Sequence, residues 1–223
     1  MRKQKKIMIC VCLLFGISLA GCGLLKGFDA EAYTEAVLKQ RLSGDTKALE
    51  ELTEDVKEEE LEAQYEEEIR TFVEGYITKD VVMGEELTEK YTKLCSEIFK
   101  DLKYEIQKAT KKDKNAYEVN VEIYPTDTFV LFSEKLKHPA DEMIQKAENG
   151  EYTGTEAEIR EQMQKEFLEY SYTLLEECFR GAETGEKETV VLKIINQEKR
   201  GFAVEEESFV KFLTAILRLD EVK

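Results

Sequence analysis

The side chains able to do chemistry in this sequence are few and scattered. Beyond residue 21 the cysteines are Cys22, Cys95 and Cys178, and the chain has one histidine, His138. Cys95 and Cys178 each fall near the end of a helical pattern that leads into a strand. Two thiols are the minimum for a disulfide, yet both sit on apolar faces, where cysteine acts as a small buried hydrophobe. His138 precedes Pro139, a pair expected in an exposed loop, and neither Ser133 nor Ser171 stands in a nucleophile motif. There is no C-x-x-C, G-x-S-x-G, H-E-x-x-H, P-loop or G-x-G-x-x-G. No catalytic residue, cofactor or metal is therefore assigned. The runs Glu58-Glu59-Glu60, Glu66-Glu67-Glu68 and Glu205-Glu206-Glu207 lie on or beside helical patterns. Successive side chains diverge there, so these runs read as solvated faces rather than a calcium loop. Phe129-Val130-Leu131-Phe132, just after Tyr124-Pro125, either completes the core or lines a groove for a ligand or peptide between sheet and helices.

The N-terminus carries the most specific pattern. Arg2, Lys3, Lys5 and Lys6 form a positive start, and residues 7–20 are an almost unbroken apolar run. The run is short for a membrane span, which takes about 20 apolar residues, and suits a secretory signal segment. It closes on Leu19-Ala20-Gly21-Cys22, which resembles the lipobox of bacterial lipoproteins. The resemblance implies that Leu19, Ala20 and Gly21 are read by the lipoprotein signal peptidase. It implies too that Cys22 becomes an acylated N-terminus, with a diacylglyceryl group on its thiol and fatty chains such as palmitate. Residues 1–21 are then removed, 22–28 form a lipidated tether, and 29–223 form a single α+β domain.

Charge narrows the partners. Residues 1–21 hold four basic and no acidic residues, so their loss takes the formal net charge from −16 to −20. Nucleic acid is excluded as a partner, because Lys and Arg contacts to phosphate supply most of that affinity. Such a domain is repelled by anionic lipid, and the acyl chains must hold it at the membrane.

The elements that position these residues follow from hydrophobic spacing. From Phe28 the period is helical, with Ala32, Ala36 and Val37 on one face and Ser43-Gly44-Asp45 as its close. A short helix is predicted over Thr46 to Thr53. Asp55 and Glu58 start a longer helix whose face is Leu61, Tyr65, Ile69, Phe72, Val73, Tyr76 and Ile77. Leu87, Tyr91, Leu94, Cys95, Ile98 and Phe99 repeat the pattern. The period then becomes two, at Leu102, Tyr104 and Ile106 and at Tyr117, Val119, Val121 and Ile123, around a hairpin loop at Thr110 to Asn115. An apolar segment from Phe129 to Leu136 is followed by a helix capped by Thr155 and Glu158, with Ile159, Met163, Phe167, Tyr170, Leu174 and Cys178 on one face. Strands at Thr189 to Ile195 and Phe202 to Val204 precede a last helix with Phe209, Phe212, Leu213, Ile216 and Leu217. The order helix-helix-strand-strand thus occurs twice. It predicts an α+β fold in which helices pack on one face of an antiparallel sheet of about four strands.

Beyond the lipobox, Phe28-Asp29-Ala30-Glu31-Ala32-Tyr33, Lys103-Tyr104-Glu105-Ile106 and Tyr117-Glu118-Val119-Asn120-Val121 resemble a group of uncharacterised lipoproteins of Gram-positive bacteria. The fold is similar to NTF2-like and cystatin-like α+β folds. The resemblance implies a lipid-anchored protein on the extracytoplasmic face of the cell membrane and carries over no catalytic residues. The expected function is a ligand- or peptide-binding module, with a small molecule or protein as partner. A structural component of an envelope complex is the alternative. An envelope hydrolase lacks a nucleophile or metal constellation in the sequence.

Overall fold

The computed structural model describes residues 28–53, 57–78, 83–197 and 201–222. Among these, eight α-helices accompany one four-stranded antiparallel sheet of order β1-β2-β3-β4, the α+β class expected. The chain divides into two compact units, and the longer segment of the second interrupts the first in sequence. Unit 1 comprises the described residues up to Tyr124 together with Glu186–Ile216, and unit 2 comprises Pro125–Gly185 and Leu217–Lys223.

Unit 1 holds the helices α1 (Ala30–Ser43), α2 (Lys47–Leu52), α3 (Glu58–Phe72), α4 (Glu85–Lys100) and α8 (Glu206–Ile216). Its sheet comprises β1 (Lys103–Lys111), β2 (Ala116–Tyr124), β3 (Glu188–Asn196) and β4 (Phe202–Val204). In the sheet, Val119, Val121, Ile123, Leu192, Ile194 and Ala203 are buried. Their alternation sets the register, with Val119 opposite Leu192 and Val121 opposite Val190, since a one-residue slip would turn the apolar set outward. β1 runs to Lys111, so Thr110 and Lys111 belong to the strand and not to the loop expected there. A bulge between Ile106 and Ala109 shifts the register midway along β1.

The spacing in α3 and α4 reads correctly: Leu61, Ile69 and Phe72 are buried on one, Tyr91, Leu94, Cys95, Ile98 and Phe99 on the other. After Phe72 the helix widens into a π-turn over Val73–Thr78. Lys57 stands at the N-cap of α3, and Asp55 lies outside the described residues. α1 buries Ala36 and Val37 of its predicted face but not Ala32. Ala32 is exposed, whereas Tyr33, Ala36, Val37, Leu38, Gln40, Arg41 and Leu42 are buried. The reason is that α1 contacts α2, α3, α4, β1 and β2, so nearly its whole circumference past the first turn is covered. Asp29 caps its start, with Oδ1 accepting from Glu31 N and Ala32 N.

Two features fix the far end of α1. Gly44 closes it at φ 69°, donating its N–H to Gln40 O at 2.9 Å. A Cβ there would lie 2.9 Å from Tyr65 Cδ1. One turn earlier, the buried Arg41 donates from Nε to Glu68 Oε2 at 3.1 Å and from its two terminal nitrogens to Glu206 at 3.2 and 3.3 Å. Its guanidinium carbon lies 3.4 Å from the centroid of the Phe209 ring. Glu68 is therefore buried rather than part of a solvated acidic face, and Glu206, whose side chain is 30% exposed, is turned to the same guanidinium.

Unit 2 holds α5 (Thr128–Lys135), α6 (Lys137–Glu148) and α7 (Glu156–Gly181). α5 and α6 each pack on α7. Lys146 and Tyr152 both donate to Glu166. The predicted cap is present: Thr155 N donates to Glu158 Oε2 at 2.7 Å, and Glu158 N donates to Thr155 Oγ1 at 3.4 Å. The first of these bonds holds the Glu158 carboxyl below its ordinary range. The buried stripe of α7 is Leu168, Ser171, Leu174, Leu175 and Cys178, and Tyr170 is 45% exposed rather than inward. His138 and Pro139 lie inside the first turn of α6, not in a loop, because an N–H there has no helical partner to lose. The ends of the inserted segment are tied together. Thr126 bridges Thr184, Gly185 N donates to Pro125 O at 2.7 Å, and Glu183 N donates to Asp127 Oδ1 at 2.9 Å.

Two stability outcomes follow from unit 1. Arg41→Ala leaves Glu68 buried without its cation and should lower the unfolding free energy in urea by about 3–5 kcal/mol. Glu68→Gln in the same chain should recover part of that loss. Gly44→Ala forces a side chain into the left-handed region against Tyr65 and should cost about 1–2 kcal/mol, read as a lower Tm.

Candidate functional site

An open cleft of about 790 Å³ lies at the C-terminal end of α1, between α3 and α4. The helical period brings Glu62, Glu66 and Arg70 of α3 to one wall and Glu89, Thr92, Lys93 and Ser96 of α4 to the other. Ser43 and Gly44 close the end. Across the floor the Tyr65 hydroxyl and Ser96 Oγ share a hydrogen bond of 2.7 Å. Partial burial pushes the Tyr65 phenol above its ordinary range, so it stays protonated through neutral pH.

Carboxylates outnumber cations along the walls. Glu62, Glu66, Glu67 and Glu89 line the cleft against Arg70 and Lys93, and Arg70 is directed to Glu85 at 3.2 Å. The cleft therefore favours a ligand with positive charge or several hydrogen-bond donors. Its volume falls in the range of small-ligand sites, roughly 300–1,000 Å³. Among the described residues no group of three or more His, Cys, Asp or Glu could hold a metal ion. The Ser43 hydroxyl donates to Lys39 O at 2.6 Å, and no histidine lines the cleft.

A second cavity lies beside the Arg41 pair, among Phe72, Gly75, Tyr76, Phe99 and Phe209. At about 30 Å³ it has room for about one water. Phe72 stacks on Tyr76 at 4.9 Å between ring centroids and meets Phe99 edge-on at 5.0 Å, so the cavity is a packing gap rather than a ligand site.

The residues singled out from sequence lie elsewhere. Leu19, Ala20, Gly21 and Cys22 are outside the described residues. Phe129, Val130, Leu131 and Phe132 lie on α5, with Phe129 and Phe132 buried, and none of the four lines either cavity. Cys95 and Cys178 are free and buried, and burial pushes both thiols above their ordinary range. No helix among the described residues is long and apolar enough to cross a membrane. Tyr65, Ser96 and the walls of α3 and α4 were not legible as a site. Tyr65 reads as one more apolar position of α3, and the only hint was Glu62 and Glu66, four apart on the helix face beside it.

The chain matches no protein-family model and no curated protein. Among solved structures it is similar to one from Bacillus subtilis, named as a "putative lipoprotein (ycdA)", at 14% identity and a TM-score of 0.55. The match covers 84% of this chain and 56% of that one, so the chain spans little more than half that protein's length. At this identity the likeness is one of fold.

Proposed function

We propose that this protein is a lipoprotein, anchored by acylated Cys22 at the extracytoplasmic face of the membrane, whose unit 1 binds a cationic small molecule or peptide in the cleft between α3 and α4. The cleft itself carries the binding reading: a ligand-sized opening with a hydrogen-bonding floor, unequal wall charge and no catalytic constellation. The anchor rests on the Leu19-Ala20-Gly21-Cys22 sequence. The Bacillus subtilis neighbour, named for the same class, supports it at the level of fold. The acidic cleft also suits a basic surface of an envelope protein, which would make the chain a component of a complex.

The anchor is tested by labelling. Cys22→Ala should abolish incorporation of radiolabelled palmitate, and incorporation at the normal level overturns the reading. The cleft is tested by native mass spectrometry of protein extracted gently from its own envelope, followed by titration with the mass that is found. An adduct of a few hundred daltons points to a small ligand, and a protein-sized adduct points to the complex. Glu66→Gln and Glu67→Gln should each weaken that binding about twofold to fivefold, and added salt should weaken it further. Binding indifferent to both substitutions and to salt overturns the assignment to the cleft.

A further inference from the structure

Phe28, the first described residue, fixes where the tether meets the fold. Its ring stacks on Phe202 at 4.0 Å between centroids and lies 5.3 Å from Tyr117 and 5.4 Å from Tyr33. The Tyr33 hydroxyl donates to Phe202 O at 3.1 Å, so the cluster is also hydrogen-bonded to β4. Tyr117 is the second residue of β2 and Phe202 the first of β4, each just past its hairpin turn. The start of β2 and the end of β3 lie side by side there, since Asn196 N donates to Asn115 O at 2.7 Å. The chain thus enters unit 1 at the turn end of the sheet.

The reach from Cys22 to this point is short. Six residues span at most about 20 Å when fully extended. α1 then runs away from the same end, where Glu31 Oε1 accepts from Ala109 N at 2.8 Å. Its 14 residues carry the chain about 20 Å to Gly44 and the cleft. An anchor at Cys22 therefore holds the turn end nearest the bilayer.

Charge at that end differs from the rest of the chain. Residues 108–116 carry Lys108, Lys111, Lys112 and Lys114 against one acid, Asp113. All four lysines are exposed. Lys111 Nζ lies 5.6 Å from the Tyr117 ring centroid, and Lys112 Nζ lies 2.9 Å from Glu118 Oε2. Among the described residues at this end, three further acids accept from backbone N–H groups. Asp29 accepts from Glu31 N and Ala32 N, Glu31 from Ala109 N, and Asp113 from Asn115 N. Lys108 and Lys114 form no ion pair among the described residues, whereas Lys112 is paired with Glu118.

We propose that the turn of the β1–β2 hairpin, through Lys108, Lys111, Lys112 and Lys114, rests on the anionic phospholipid surface that receives the acyl chains of Cys22. Attraction at this end and repulsion of the acidic walls at the other act in the same sense. Both hold the cleft facing outward. The proposal rests on the lipoprotein reading of Cys22 and adds an orientation to it.

The test uses the acylated mature chain in phosphatidylcholine vesicles with and without phosphatidylglycerol, carrying a headgroup-attached quencher. A fluorophore is placed on Asn115→Cys or, separately, on Glu66→Cys at the cleft, the native Cys95 and Cys178 being buried. Phosphatidylglycerol should increase quenching at position 115 and leave position 66 unquenched. Replacing the four lysines by glutamine should lower the docked-to-undocked ratio at least fivefold, since one surface lysine alone is worth about 1 kcal/mol. Added salt should act in the same direction. Equal quenching at the two positions, or no response to phosphatidylglycerol, overturns the orientation. The mass of the same sample separates the two readings. A chain without acyl groups overturns the anchor and this proposal with it, whereas an acylated chain that fails to orient overturns the orientation alone.

Discussion

The Arg41 fork is the interaction on which the arrangement of unit 1 depends. One guanidinium reaches Glu68 on α3 and Glu206 on α8 while lying over the Phe209 ring, so a single side chain of α1 joins three helices. A buried ion pair of this kind is weak evidence for stability, because removing the charges from water offsets much of their attraction. What it fixes is alternatives. Any rotation of α1 or sliding of α3 would strand a charge in an apolar interior, whereas apolar contacts alone would tolerate small displacements. Gly44 and the Tyr65 ring are the neighbours that this constraint holds in place, one turn beyond Arg41.

The sequence is legible where structure is periodic and local. The stripes of α3 and α4, the alternation that registers β2 on β3, and the Thr155–Glu158 cap are all short-range patterns, and each reads correctly. It is opaque where partners are distant. Glu68 stands in an acidic run like any solvated helix face, and its partner is 27 residues away, while Glu206 pairs with Arg41 across 165. Ala32 and Tyr170 fail for a related reason. An apolar stripe is defined by what packs against it, and the neighbours of α1 and α7 cover a different arc from the one that spacing suggests. The cleft is harder still, being a property of the space left between two helices rather than of any run of residues.

Unit 1 can be viewed along α1 as a strut with two unlike ends. At its start stand the aromatic cluster around Phe28 and the lysines of the first hairpin. At its close stand Gly44 and the cleft walls, rich in carboxylates. The strut is buried along nearly its whole length beyond the first turn, so its ends keep a fixed spacing.

Tying Pro125 to Gly185 and Thr126 to Thr184 has a consequence for how the sheet is assembled. β2 and β3 are neighbours in the sheet, yet about 60 residues of unit 2 separate them in the chain. Closing a flexible loop of that length costs about 3–4 kcal/mol of chain entropy. Once unit 2 has folded and its two ends are clasped, β2 and β3 leave it from adjacent points, and the pairing behaves like that of a short hairpin. The longest-range contact of the sheet becomes a local one, so folding of the inserted segment ahead of the sheet would remove most of that entropy cost.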